Sequence, residues 1–212
     1  MIRSIRSFSA LMLILASVAC THSPQQSISS GASSAKVAET KAALRDLWLG
    51  HILSIRNVAV ATLDKNLAAR TVAEKDVVAN AEQIARSIEP FYGKAASEKL
   101  FTLLAGHYGA IRDHLDATAA SDPVRQNAAM QELTANAGEI ATFLSRANPY
   151  LPKDTVMALL MAHAAHHITQ FQQLRAGDYA QEAETWKGMK QHIYVVADAL
   201  TGALVKQFPD KF

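Results

Sequence analysis

The most constraining feature of the chain is a set of three histidines separated by a fixed interval of 56 residues: His51, His107 and His163. A second polar residue follows each of them after 29 residues, and these residues are Asn80, Asn136 and His192. Self-similarity at a fixed period is the sequence signature of a repeat architecture. The chain is therefore predicted to contain three copies of one supersecondary unit, each about 56 residues long.

The periodicity of the apolar residues indicates an all-α fold. Glycine and proline are sparse, at 9 and 6 of the 212 residues, and no segment alternates apolar and polar residues as a half-buried strand would. Asp122-Pro123 and Gly177-Asp178 mark helix boundaries, and the segment from Thr71 to Glu74 has the form of a capping box. We expect six helices over residues 35–69, 72–89, 94–120, 123–146, 153–176 and 178–206.

Each repeat is predicted to be one αα-hairpin. Two midpoints between the paired polar residues fall at Ser121-Asp122 and Gly177-Asp178, which are predicted turns, whereas the first midpoint, near Asn66, conflicts with the capping box at Thr71. Residues equidistant from a turn lie side by side, so we expect three facing pairs: His51 with Asn80, His107 with Asn136, and His163 with His192. The hairpins would form a compact six-helix bundle or a short solenoid, and the apolar tail ending in Phe208 and Phe212 favours the bundle.

The N-terminal residues have the pattern of an export signal. Arg3 and Arg6 precede a short apolar run, which ends in Ser17-Val18-Ala19-Cys20. These four residues resemble the lipobox of bacterial lipoproteins, and the resemblance implies cleavage before Cys20 and acylation of its sulfur and amine, with palmitate among the acyl chains. The expected organisation is a lipoprotein signal peptide over 1–19, an acylated cysteine and flexible tether over 20–34, and a helical repeat domain over 35–212.

Charge and the residue after the cysteine bear on partners and location. Of the 21 basic residues, Arg3 and Arg6 lie in the signal segment, which leaves 19 to balance the 19 acidic residues. Such a neutral domain lacks the basic footprint of a nucleic-acid binder, so the expected partner is the lipid bilayer, reached through acylated Cys20. Thr21 follows the cysteine, where aspartate would resemble an inner-membrane retention signal. An outer-membrane location facing the periplasm is expected in a Gram-negative host, and the outer face of the membrane in a Gram-positive one.

The third repeat carries the densest group of residues that could bind a metal. His163 and His167 lie four residues apart and share one helix face, and His192 is predicted opposite His163. Three imidazoles would leave an open coordination position on zinc, iron, copper or nickel. The spacing His163-x3-His167-x2-Gln170 also resembles the second metal motif of DinB-like four-helix proteins, and this resemblance implies an earlier histidine ligand, His51 or His107.

A second resemblance covers most of the chain after the signal segment. The segments that carry it are Leu47-Trp48, His51, Asn80-Ala81, Ile84-Ala85, Asn136-Ala137, Ile140-Ala141 and Gln207-Phe208-Pro209. They look like a set of small, uncharacterised helical bacterial proteins. This resemblance implies a helical fold and carries no activity.

The alternative to a metal site is structural, because a histidine facing an asparagine can form a hydrogen bond that fixes the register of a hairpin. We expect His22 and His114 to be exposed. The sequence lacks a Gly-x-Ser-x-Gly motif, a phosphate-binding glycine loop and a His-Glu-x-x-His motif, and its one cysteine is taken by the lipobox. The favoured interpretation is a membrane-anchored lipoprotein with a non-catalytic domain that binds a protein or small ligand, and the alternative is a histidine-based metal-binding protein in the periplasm.

Overall fold

The structure is a computed structural model that describes the backbone from Ser27 and the side chains from Ser34 to the C-terminal Phe212. Between residues 27 and 212 the fold is all-helical, as the sequence predicts, with no β-strand. The elements are α1 (Ser27–Leu63), α2 (Leu67–Ser87), the short α3 (Glu89–Tyr92), α4 (Lys94–Ala119), α5 (Pro123–Ala147), α6 (Lys153–Ala176), α7 (Tyr179–Gln207) and a terminal 3-10 turn (Pro209–Lys211). None of the helices in this part of the chain has the length and apolarity needed to cross a membrane. Cys20 and the signal segment 1–19 lie outside the described residues.

Two of the predicted turns have the expected capping residues. The side chain of Asp122 accepts hydrogen bonds from the backbone amides of Val124 and Arg125, at 3.1 and 3.0 Å, and thereby caps α5. Asp178 caps α7 in the same way. Gly177 ends α6 with a φ of 72°, a left-handed conformation that glycine adopts without steric cost.

The first turn lies earlier than the capping-box pattern indicates. Helix α1 ends at Leu63, and Asn66 caps α2 by accepting a hydrogen bond from the amide of Ala69 at 3.0 Å. The capping-box prediction at Thr71 is wrong, because Thr71 lies inside α2 and its hydroxyl donates to the carbonyl of Leu67. The turn falls instead near the midpoint of the repeat, where an asparagine supplies the better cap.

Helix α1 also begins earlier than residue 35, the predicted start. Its first residue is Ser27, so the backbone of residues 27–34, which the sequence assigned to the tether, is helical. No proline interrupts the chain between Pro24 and Pro90, and alanine and serine are tolerated in a helix that a packed segment already nucleates.

The helices form a bundle in which α1, α4 and α6 all contact one another. Each remaining long helix packs against two of these three: α2 against α1 and α4, α5 against α4 and α6, and α7 against α6 and α1. Bidentate ion pairs help to hold α7 against α1, since Arg45 donates to Asp198 at 2.8 and 2.7 Å and Arg56 donates to Glu182 at 2.7 and 2.9 Å. The inner helices therefore place their facing side chains in one shared core.

The C-terminal tail packs against the bundle, as the two terminal phenylalanines predict. The rings of Phe208 and Phe212 lie 5.4 and 5.8 Å from the ring of Phe91, measured between centroids. Aromatic pairs at this separation stabilise by more than their buried area alone. The tail thereby packs against α3, next to the end of the bundle where α7 stops.

Candidate metal centre

Three histidine rings converge in the core of the bundle. His51 comes from α1, and His163 and His167 come from successive turns of α6. The Nε2 atom of His163 lies 3.3 Å from Nε2 of His51 and 3.2 Å from Nε2 of His167, and one nitrogen from each ring lies within 4.8 Å of the others. In a tetrahedral site with metal–nitrogen bonds of about 2.0–2.1 Å, neighbouring ligand nitrogens are about 3.3–3.4 Å apart. Two of the nitrogen separations therefore match those of ligands around one ion.

The surrounding side chains hold the three rings in place. All three are buried, with exposed fractions of 6%, 2% and 0% for His51, His163 and His167. The indole of Trp48 meets the ring of His51 edge-on at 5.8 Å, and the ring of Phe171 stacks on His167 at 5.9 Å. Packing on both sides restricts the rotamers of the rings and so orients their nitrogens towards one another.

The hydrogen-bonding capacity of the rings does not satisfy these contacts. A neutral imidazole has one N–H donor and one acceptor nitrogen, so Nε2 of His163 can pair with His51 or with His167 but not with both. The Nδ1 atoms of His163 and His167 are also buried without a partner in the described part of the chain. Because buried polar atoms are normally paired, this arrangement lacks something that binds all three Nε2 lone pairs. Three buried histidines this close together could hold a metal ion.

The rings are in the protonation state that binds metals. Burial lowers the pKa of His51 to about 3, with a further contribution from His107. Burial and the neighbouring imidazoles also hold the pKa values of His163 and His167 well below their usual range. All three rings are consequently neutral near pH 7, and a neutral imidazole nitrogen is the form that coordinates a cation.

The third ring beside His163 and His167 belongs to His51, whereas the sequence analysis selected His192. The Nε2 atom of His192 donates to the backbone carbonyl of Leu159 at 2.9 Å, and its ring lies 6.5 Å from that of His163 between centroids. His192 is on α7, outside the trio of mutually contacting helices, while His51 is on α1, which packs directly on α6. The resemblance to DinB-like proteins was the sequence signal that pointed to His51.

The expected hydrogen bonds between histidines and asparagines are replaced by bonds to the backbone. Three side chains on the outer helices each donate to a carbonyl four residues before a repeat histidine: Asn80 to Leu47 at 2.9 Å, Asn136 to Leu103 at 3.0 Å, and His192 to Leu159 at 2.9 Å. Gly50 and Gly106 permit this approach, since a Cβ there would lie 3.1 and 3.0 Å from the two amide nitrogens. The short asparagine side chain therefore bonds to the nearest carbonyl and does not reach the ring.

Two further histidines are buried near this centre. The ring of His107 stacks on His163 at 6.1 Å, and burial lowers its pKa to about 4, outweighing the opposite effect of Asn136. His114 was expected to be exposed, but only 4% of it is, because it lies seven residues after His107 on the same face of α4. His22 falls outside the described residues.

A buried acid lies one turn further along α6. Glu182 is 3% exposed and accepts hydrogen bonds from Arg56 and, at 2.8 Å, from Nε2 of Gln170. The guanidinium of Arg56 holds the pKa of Glu182 below its usual value, so this carboxylate is charged and already paired. Gln170, the last residue of the DinB-like spacing, thus links the helix of His163 and His167 to the ion pair.

An apolar cavity of about 70 Å³ adjoins the centre, and His51, His107 and His163 form part of its wall. Most of its lining residues form sets of three separated by 56 residues. These sets are Leu44, Leu100 and Val156; Trp48, Leu104 and Leu160; His51, His107 and His163; Ile84, Ile140 and Val196; Ser87, Phe143 and Ala199; Ile88, Leu144 and Leu200; and Tyr92, Asn148 and Leu204.

Comparison of the chain with protein-family models, with curated proteins and with solved structures finds no match. The functional interpretation therefore depends on the geometry of the histidines and of the cavity beside them.

Proposed function

We propose that the protein is a metal-binding protein that holds one divalent transition-metal ion between His51, His163 and His167. The observation that carries this proposal is the convergence of three buried, neutral Nε2 atoms at ligand spacing, in an arrangement that hydrogen bonds alone cannot satisfy. Imidazole suits zinc, iron, copper and nickel. Three protein ligands leave a further coordination position for water or an exogenous ligand.

The repeat supports this proposal, because the third unit departs from the other two at one ligand. We infer that the chain is built from three repeated hairpins, α1–α2, α4–α5 and α6–α7, on the evidence of the 56-residue spacing, the three side-chain-to-carbonyl bonds and the matched sets in the cavity wall. Four residues after each repeat histidine come Ile55, Ile111 and His167. Replacing a buried isoleucine by an imidazole leaves polar nitrogens to satisfy, which packing alone does not explain.

The sequence supports a further proposal about location. We propose that the protein is an exported lipoprotein, cleaved before Cys20 and held on the membrane by the acyl chains of that residue, facing the periplasm from the outer membrane in a Gram-negative host. A single acyl chain binds a bilayer only marginally, so the two acylation sites implied by the lipobox matter. The bundle would then hold its ion outside the cytoplasm.

The cavity favours a second candidate, a non-catalytic domain that binds a ligand without any metal. In that case the four core histidines His51, His107, His163 and His167 would be packing residues, and chelators would not affect the protein. The two candidates therefore differ in metal content and in the effect of metal removal on stability.

The test is the metal content of protein purified without a polyhistidine tag. The repeat offers matched variants: His167→Ile introduces the residue that the first two units carry, and His192→Asn introduces the residue at the equivalent positions of the outer helices. The parent and His192→Asn should contain about one metal ion per chain by elemental analysis, and His167→Ile should contain none while remaining folded. A metal-free parent, or a loss in His192→Asn with retention in His167→Ile, would contradict the proposed centre.

A further inference from the structure

The cavity beside the candidate metal centre has the size and shape of a short chain. A water molecule requires about 10–15 Å³ of such space, so about 70 Å³ accommodates several non-hydrogen atoms. Its wall follows α1 from His51 through Trp48 to Leu44, and seven residues of α-helix rise about 10 Å. The space is therefore narrow and elongated, with histidines at one end.

The walls away from the histidines offer no free hydrogen-bonding group. The polar side chains there are Ser87, Tyr92 and Asn148, and each is already bonded within the protein. Ser87 donates to the carbonyl of Ile84, Asn148 donates to the hydroxyl of Tyr92 at 2.9 Å, and Tyr92 donates to Gln207 at 2.7 Å. The body of a ligand in this space must consequently be apolar.

The histidine end, by contrast, has unpaired polar atoms. The indole Nε1 of Trp48 and the Nδ1 atoms of His107 and His163 are buried and have no partner among the described residues. An indole N–H can only donate, so the group that meets Trp48 must accept a hydrogen bond. The wall thus places at least one fixed donor at the end where the imidazoles converge.

Charge indicates the chemical class of the accepting group. Three neutral imidazoles do not compensate the charge of a divalent ion, and a buried charge is normally paired. The nearby carboxylate of Glu182 is already bonded to Arg56 and Gln170. An anionic group with acceptor oxygens, supplied from the cavity, would both compensate the ion and satisfy Trp48.

We propose that the cavity binds a short, unbranched aliphatic carboxylate, with its chain along the apolar wall and its carboxylate at the histidine end. This inference rests on the proposed metal centre, because the carboxylate is assigned as the exogenous ligand of the ion. His51 and His163 belong both to the cluster and to the cavity wall, so the two sites are continuous.

The experiment uses the purified full chain loaded with cobalt(II), whose visible absorption reports changes in coordination, and titrates it with acetate, butyrate, hexanoate and dodecanoate. Affinity should rise about fourfold for each added methylene up to hexanoate and should not rise further at dodecanoate. Hexylamine and hexanamide should bind at least tenfold more weakly than hexanoate. Calorimetry on the metal-free protein should show hexanoate binding weakened at least tenfold.

Two variants separate the chain from the head group. Ala147→Leu fills the wall and should weaken hexanoate about tenfold without affecting acetate, while Ala128→Leu on the exposed side of the same helix should change neither. Trp48→Phe should weaken all carboxylates by a similar factor and keep the dependence on chain length. Failure to bind cobalt would overturn the metal centre itself. Cobalt binding with affinities independent of chain length or of charge would overturn only the carboxylate site.

Discussion

A buried imidazole resists protonation because a charged ring loses more hydration than a neutral one. His51, His107, His163 and His167 all have lowered pKa values for this reason. The consequence at the scale of single residues is that proton competition for the candidate ligands is weak in the folded state. The same shift links folding to pH, since an unfolded chain would bind these protons at the usual histidine pKa.

The metal-free protein should therefore lose stability in acid. The folded pKa of His107 is about 4, below its unfolded value of about 6.5, so the unfolded state binds more protons as the pH falls between these values. Stability is fully present above about pH 6.5 and decreases towards pH 4, and the part due to His107 is on the order of 2–3 kcal/mol. Denaturant unfolding in the presence of a chelator, repeated at several pH values, measures this slope. His107→Leu should flatten it, and a parent whose stability is constant from pH 6.5 to 4.5 would contradict the assignment.

The spacing of the histidines predicted which rings are buried but not which rings meet. His163 and His167 share a helix face by local geometry alone, so their proximity could be predicted from the sequence. The third ring depends on which helix lies beside α6, and this is a property of the tertiary packing. His192 is closer in sequence to His163, yet it bonds to a backbone carbonyl, and His51 occupies the remaining side.

At the scale of helices, the register of a hairpin depends on small residues where two helices approach. Asn136 on α5 reaches the carbonyl of Leu103 on α4 because Gly106 has no side chain in the way. The first hairpin repeats this contact with Gly50 and Asn80. The third has Ala162 and His192 at the equivalent positions, so both members of the contact change together.

Two glycines of α4 provide a matched test of this contact. At Gly109 a Cβ meets no atom within 4 Å, so Gly109→Ala should stabilise the protein by up to about 1 kcal/mol through helix propensity. At Gly106 a Cβ would lie 3.0 Å from Nδ2 of Asn136, so Gly106→Ala should lose about 1 kcal/mol of hydrogen bonding and cancel that gain. Denaturant midpoints of both variants decide the matter. Adding Asn136→Ala should abolish the difference between them, and equal stabilisation at both glycines would show that the contact does not set the register.

Helix boundaries illustrate why some local patterns were reliable and one was not. Asp122 and Asp178 cap helices as predicted, because a capping acid and an adjacent proline or glycine act within a few residues. Thr71 and Glu74 have the same kind of local pattern, but Glu74 accepts a hydrogen bond from Arg70 inside α2. The repeat midpoint at Asn66, which reflects the pairing of two whole helices, located this turn correctly.

At the scale of the whole molecule, the bundle places a metal centre and a cavity on the inner helices and leaves the N-terminus of α1 extending away from them. The inner helices α1, α4 and α6 each contribute a repeat histidine to the cavity wall. Chelation should accordingly lower the melting temperature of the parent, because an ion bound only by the folded state stabilises it by mass action. His167→Ile should show no response to the chelator, and an equal response in both proteins would indicate a different metal site.

The anchoring proposal is tested by changing one atom. Cys20→Ser keeps the size of the side chain but removes the sulfur that lipidation requires, so the variant should take up no labelled palmitate and should leave the membrane fraction. Because Cys20 precedes the first described residue, Ser27, the bundle itself should be unaffected, and its metal content and melting temperature should equal those of the parent. Arg3→Ala, within the signal segment but outside the lipobox, serves as the control and should still be acylated. If Cys20→Ser incorporates palmitate and sediments with membranes as the parent does, the protein is held there by something other than this cysteine.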